Sequence, residues 1–219
     1  MPHRAKLSFI IFFSLAALVF LTAFVRFLKK PEELNILDTF YGEKPALEIF
    51  NSDPVRGATT AKITIVEFAD FACEHCKESA AIMRQLLLDY PNNVRIVWKD
   101  LPATTYPEDS QPLHVAAQCA NRQGRFWEYH DELFANQSTG VTQNEFITLA
   151  KKIGLDTFAF EECLTGNETI PVIIERNRLM AQELGVDGVP YFVVNETKQL
   201  SGVLSITRWH EEIDGLLKK

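Results

Sequence analysis

Ile63-Thr64-Ile65-Val66-Glu67-Phe68-Ala69-Asp70-Phe71-Ala72-Cys73-Glu74-His75-Cys76 is the run on which this chain turns from strand to helix. Residues 63–68 are β-branched and apolar, the composition of a strand covered on both faces. Beyond the cysteines Ala80, Met83, Leu87 and Tyr90 recur at helical spacing, so a helix is expected to run to Tyr90-Pro91. Cys73 then falls at a helix N-terminus, where unpaired N–H groups and the positive end of the dipole favour a thiolate over a thiol. A lowered pKa makes a sulfur reactive near neutral pH, as nucleophile and as leaving group. Cys76, one turn on, can close a disulfide with it, and the pair reads as a two-electron switch. A zinc site would need two more ligands. Cys119 and Cys163 stand alone in the sequence, and none of His3, His114, His130 or His210 pairs with another at ligand spacing. An inert pair is the other alternative. Neither a metal nor a cofactor is expected.

Outward from this centre the pattern continues. Val94-Arg95-Ile96-Val97-Trp98 reads as a second strand, ended by Leu101-Pro102. Helical faces follow: Leu113, Ala116, Ala117 and Ala120, then Phe126, Tyr129, Leu133 and Phe134, then Phe146, Leu149, Ala150 and Ile153. Thr142 with Glu145 forms a capping box for the third of these, and Gly154 stops it. Asp156 can cap a short helix through Cys163, and Thr169 another that ends near Gly185. Tyr191–Val194 and Gln199–Val203 look like an antiparallel pair joined at 195–198, and Ile206, Trp209, Ile213 and Leu216 mark a last amphipathic helix. The order is β-α-β, a helical block, then β-β-α, an α/β fold with helices inserted at about 106–185.

The N-terminus bears on where this chemistry happens. Leu7 to Val25 carries no charge over 19 residues, just enough to span hydrocarbon as a helix. Leu21-Thr22-Ala23 offers only a poor cleavage site, so residues 1–30 are expected to be a transmembrane anchor, the alternative being a cleaved signal sequence. Two basic residues precede the apolar run and three follow it, so the flanking charge does not decide orientation. A dithiol switch on such an anchor fits the oxidising, extracytoplasmic or periplasmic side; a tethered cytoplasmic reductase is the alternative. Residues 31–52 mix acids, Gly and Pro without clear period and read as a spacer, leaving 53–219 as one domain. Beyond residue 30 the chain carries 17 basic and 29 acidic side chains, a net charge of −12 that argues against nucleic acid as a partner.

The ordered set of features resembles the thioredoxin fold with the helical insertion of DsbA-like thiol:disulfide oxidoreductases. The likeness covers about 53–219: Asp53-Pro54-Val55-Arg56-Gly57 before the first strand, Val66-Glu67-Phe68 leading to Cys73, Phe126-Trp127-Glu128-Tyr129-His130, and Gly188-Val189-Pro190 before the third strand. It implies that Cys73 is the exposed, low-pKa sulfur forming the mixed disulfide and Cys76 the buried one that resolves it. Val189-Pro190 would be the cis-proline loop offering backbone groups to a bound peptide; an ordinary trans proline opening a strand is the alternative. The family commonly regenerates its disulfide through a membrane quinone-linked partner.

Glu67 shares a strand face with Ile63 and Ile65 and should be covered, and a covered carboxylate without a cation holds its proton. It matches the family's buried acid, which helps move a proton to or from the resolving cysteine; a strand-end glutamate reaching water is the alternative. Between the cysteines the family's strong oxidases commonly have Pro-His, whereas this chain has Glu74-His75. His75 can stabilise a Cys73 thiolate, and Glu74 opposes it, so a weaker oxidant than the Pro-His enzymes is expected. Cys119 and Cys163, 44 positions apart, fit a structural disulfide between helices, or two buried free thiols. The histidines His114 and His130 read as satisfied or surface groups. The resulting reading is a membrane-anchored thiol:disulfide oxidoreductase that forms disulfides in exported proteins. Its alternatives are a reductase or isomerase of the same fold, and a non-catalytic thioredoxin-like binding or chaperone module.

Overall fold

The structure is a computed structural model that describes residues 47–102, 109–137 and 142–218. The expected anchor, 1–30, and most of the expected spacer lie outside the described residues. Within them, no helix is long and apolar enough to cross a membrane.

The run at 63–69 forms strand β2 (Ile63–Ala69), paired in parallel with β3 (Val94–Asp100), the two joined by helix α1 (Glu74–Asp89) as the crossover that parallel strands need. A short strand, β1 (Val55–Gly57), pairs antiparallel with β3 at one edge. The sequence reading had no strand there, because three half-exposed residues leave no alternation to read. Gly57 adopts φ +110°, and a Cβ on it would meet the Val94 carbonyl at 2.6 Å. Only glycine lets the two strands approach so closely. β4 (Tyr191–Val194) lies antiparallel to β2 and carries β5 (Lys198–Ser201) on its outer edge, so the five-stranded order is β1-β3-β2-β4-β5. The hairpin turns at Asn195 and Glu196, both at positive φ, so β5 starts one residue earlier than expected and ends at Ser201.

Both faces of β2 are covered, as its composition requires. Ile63 and Ile65 pack with Val94, Ile96 and Phe192 against α1 and the last helix, α7 (Ile206–Leu217), whose Trp209 and Ile213 are fully buried. Val66 and Phe68 pack with Val97, Tyr191 and Val193 on the other side, under Met180 and Ala181.

The inserted block follows β3: α2 (Gln111–Arg122), α3 (Phe126–Ala135), α4 (Gln143–Lys152), α5 (Thr157–Gly166) and α6 (Thr169–Glu183). Its start signals are those read from the sequence, with one exception. The Glu145 carboxylate accepts from the Thr142 N–H at 2.6 Å, and Asp156 accepts from the N–H groups of Phe158 and Ala159 at 3.0 and 3.1 Å. The start of α6 differs from expectation. Asn167, not Thr169, supplies the cap, accepting from the N–H groups of Thr169 and Ile170 at 2.9 and 3.1 Å. The amide reaches across the turn that a threonine inside the helix cannot cap. Gly154 takes φ +79° just beyond α4, the left-handed position that ends it. Cys119 on α2 and Cys163 on α5 are joined in a disulfide with Cα atoms 5.8 Å apart, so the reading as two free thiols does not hold.

The last residues of the expected spacer pack on the domain. Leu47 is buried among Val66, Phe68 and Val97. The fully buried Lys99 donates to the Glu48 carbonyl at 2.7 Å and to the Asp53 carboxylate at 2.6 Å.

Candidate active site

Cys73 is the N-cap of α1, at φ −83° and ψ 122°, and its sulfur accepts the Cys76 N–H at 3.4 Å. It is half-buried, and when protonated it can donate to the Val189 carbonyl at 3.7 Å. Its pKa is lowered from 9.0 to about 6. The hydrogen bond from the Cys76 side chain is the largest cause. Burial works against it, the backbone N–H groups of Cys76 and His75 lower it further, and the Asp70 charge opposes. This is the helix-terminus effect with its donors named.

Cys76 is the opposite case. It is completely buried, and its thiol is pushed far above the ordinary range by the bond it makes to Cys73, then by burial, with the nearby charges of Cys73 and Glu67 adding to both. The Asp70 N–H donates to its sulfur at 3.5 Å and works in the other direction. Both sulfurs are free thiols in this structure. One is therefore accessible and ready to ionise, the other sealed and protonated.

Glu67 is 2 % exposed, which rules out the reading as a strand end in water. It stands beside Trp98 and Phe192 in the sheet register, and the Ser79 hydroxyl donates to Oε1 at 3.4 Å. Burial raises its pKa from 4.5 to about 8, against the weak pull of Ser79. The carboxyl is thus protonated at neutral pH and lies close enough to Cys76 for its charge, once formed, to be felt there.

The Val189–Pro190 bond is cis, so the trans reading is excluded. The loop is tied to β5 by the Gly202 N–H, which donates to the Pro190 carbonyl at 2.9 Å. Glu74 and His75 are both exposed in the first turn of α1. The His75 backbone N–H is among the groups that lower the Cys73 pKa.

Further groups support this site. Gln137, two residues past the end of α3, donates to the carbonyls of Phe71 and Cys73 at 2.8 and 2.9 Å and so clamps the turn before α1. Beneath that turn lies a buried polar chain of Asp70, His114 and Asp100. Its signal in the sequence was faint but present. Asp70 and Asp100 each end an apolar strand, and His114 sits among the small apolar residues of α2, where a polar group requires a partner. His114 and His130 are both buried, so neither is a surface group. Among the described residues, no three His, Cys, Asp or Glu side chains gather as a metal site.

A family model described as Thioredoxin matches residues 51–215. Among solved structures, the chain is similar to a thioredoxin-like oxidoreductase from Silicibacter pomeroyi, at 26% identity, 78% of this chain and 95% of that one, with a TM-score of 0.68. It is also similar to oxidised BdbD from Bacillus subtilis, at 24% identity over 77% of this chain and 94% of that one, TM-score 0.68. The thiol-disulfide exchange protein alpha-DsbA2 from Wolbachia pipientis gives 20% identity, 76% and 88% coverage, and a TM-score of 0.67. The last two likenesses concern the fold. Among curated relatives, the Na(+)/H(+) antiporter NhaA 3 of Salinispora tropica is 38% identical over 144 residues, 65% of this chain but 22% of that protein. The chain spans about a fifth of the length of the curated relatives it matches, and the transport in their name is not carried over to it.

Proposed function

The chain belongs to the thioredoxin family, and from that premise we propose that it is a membrane-anchored thiol:disulfide oxidoreductase that donates disulfides to exported proteins outside the cytoplasm. One observation carries the reading: the two sulfurs are chemically unlike. Cys73 is accessible with a pKa near 6, while Cys76 is buried and holds its proton.

In the oxidised enzyme a substrate thiolate attacks Cys73 Sγ. The Cys73–Cys76 bond breaks, and its electron pair leaves on Cys76, which takes a proton. Glu67, protonated at neutral pH beneath it, is suited to supply that proton and to regain one later. A second substrate thiolate then attacks its partner sulfur in the mixed disulfide and expels Cys73 as a thiolate. The substrate loses two electrons and two protons; the enzyme gains the two electrons and keeps one proton on Cys76, and the other goes to solvent. Cys73 leaves readily because its thiolate is already stabilised. The Val189 carbonyl lies beside the sulfur that is attacked and, next to the cis bond to Pro190, would meet a peptide lying across it. A membrane quinone-linked protein that accepts the two electrons would restore the disulfide, and the N-terminal segment would keep the domain beside it.

Glu74 in the first turn of α1 places a carboxylate near the Cys73 thiolate, so the reduction potential is expected to be less oxidising than that of Pro-His enzymes. Equilibration with glutathione tests this; a potential equal to the strongest oxidants defeats the Glu74 argument. Thiol trapping in cells tests the direction. Cys73 and Cys76 mostly oxidised supports disulfide donation; mostly reduced assigns a reductase or isomerase. A dithiol that exchanges with no protein thiol would leave only a binding module.

A further inference from the structure

His114 is wholly buried, and each of its ring nitrogens meets a carboxylate: Nδ1 lies 2.8 Å from Asp100 Oδ1 and Nε2 lies 3.2 Å from Asp70 Oδ1. A neutral ring would turn a lone pair toward one of those anions, so both nitrogens donate and the ring is an imidazolium. Burial opposes that charge, and the bonds to Asp100 and Asp70 overcome it, raising its pKa to about 9. Asp100 is further held by Trp98 Nε1 at 2.8 Å and by Gln118 Nε2 at 2.6 Å. Among the described residues the charged groups facing His114 are Asp70, from the turn after β2, and Asp100, from the end of β3. The rings of Phe71 and Trp98 lie at 4.9 and 6.3 Å.

Asp70 is the residue whose backbone reaches both sulfur-bearing residues. Its N–H donates to Cys76 Sγ at 3.5 Å, its carbonyl accepts the Cys73 N–H at 3.1 Å, and its side chain accepts the Ala72 N–H at 3.0 Å. Its negative charge, left alone, opposes a thiolate on Cys73.

We propose that His114 is a positioning residue of the redox centre: bridged between Asp100 and Asp70, it fixes the turn that holds both cysteines and balances the carboxylate that would otherwise work against the Cys73 thiolate. The helical insertion thereby acts on the reactivity of Cys73 through one ion-paired side chain. The inference deepens the proposed function and rests on Cys73 being the attacked sulfur.

The test is the pH dependence of iodoacetamide alkylation at Cys73 in the whole reduced chain. His114→Gln keeps a donor of similar size and loses the charge. Its alkylation midpoint is expected to rise by about one pH unit, and the rate at pH 6 to fall about fivefold. Asp70→Asn keeps the oxygen that caps Ala72 and removes the opposing charge, so its midpoint should fall below that of the parent. The double variant should return toward the parent, because the charge to be balanced is gone. An unchanged midpoint in His114→Gln, an unchanged or raised one in Asp70→Asn, or a double variant further from the parent than His114→Gln each overturns the proposal. If His114→Gln does not fold, the double variant compared with Asp70→Asn reads the same charge: its midpoint should lie above that of Asp70→Asn, and equal midpoints overturn the proposal. A parent midpoint near 9 would instead remove the thiolate premise, and with it both readings. A parent near 6 with an inert His114→Gln would remove only this one.

Discussion

At the scale of single residues, Glu67 and Cys73 are paired opposites. Burial lifts the Glu67 pKa from 4.5 to about 8, so between those values the folded chain binds a proton that the unfolded chain has released. Stability must therefore fall as pH rises through that window and level off above it. Glu67→Gln should flatten this slope and stabilise the domain above pH 8 by up to a few kcal/mol, while slowing thiol exchange. Urea unfolding against pH and a glutathione exchange assay measure the two effects; parent-like exchange would leave Glu67 without a chemical role. Cys73 has the reverse sign. Its pKa is depressed from 9.0 to about 6, so the reduced protein should gain stability as pH rises from 6 to 9 and lose it as pH falls through 6. Cys73→Ser, with no thiolate in that range, should lack this rise in the same unfolding series. The burial of Glu67 and the lowered pKa of Cys73 were legible from strand alternation and helix position, and their roles came with the family resemblance. Asp70 and His114 left only a faint signal, because what they do depends on a contact between segments 44 positions apart, which local pattern does not report.

The elements were legible where a cap or a period was strong, and less so where geometry came from a neighbour. β1 was invisible because three residues paired to an edge leave no period, and the α6 cap moved to Asn167 because Asn167 and Thr169, two positions apart, compete for one end. The disulfide between α2 and α5 could be named only as one of two states, since pairing is a property of the packed helices. Its bond closes a loop with a sequence separation of 44, and chain entropy assigns it roughly 4 kcal/mol. Cys119→Ala with Cys163→Ala should lower the urea midpoint accordingly. Alkylation of Cys73 should remain near its parental midpoint, because the bridge lies outside the contacts that set it. A large shift in that midpoint would mean that the bridge, and not His114, transmits the state of the insertion to the redox centre.

For the whole molecule, the question is how the domain is joined to the segment before it. The composition of 31–52 reads as spacer to its end, yet residues from Leu47 onward are held by long-range contacts that composition does not encode. Lys99, fully buried on β3, pairs with Asp53, while Arg176 of α6 reaches the other oxygen of the same carboxylate at 3.2 Å. The Phe50 ring centroid lies 3.6 Å from the Arg176 guanidinium carbon and 5.0 Å from Lys99 Nζ, so one aromatic ring serves both cations. Burial lowers the Lys99 pKa, with Asp53 acting against that. Removing one partner of such a buried pair leaves the other charge short of its compensation, which is more costly than never having buried the pair. Lys99→Met should therefore destabilise by roughly 3 kcal/mol or more, and it should expose 47–54 to limited proteolysis before the rest of the domain unfolds. Cys73 alkylation should stay parental, since the pair sits on the opposite side of β3 from the polar chain at Asp100. Proteolysis confined to 47–54 with an intact redox centre would identify the Lys99–Asp53–Arg176 cluster as the point where a tether meets a rigid domain. Global unfolding without prior cleavage there would show instead that the cluster is part of the core.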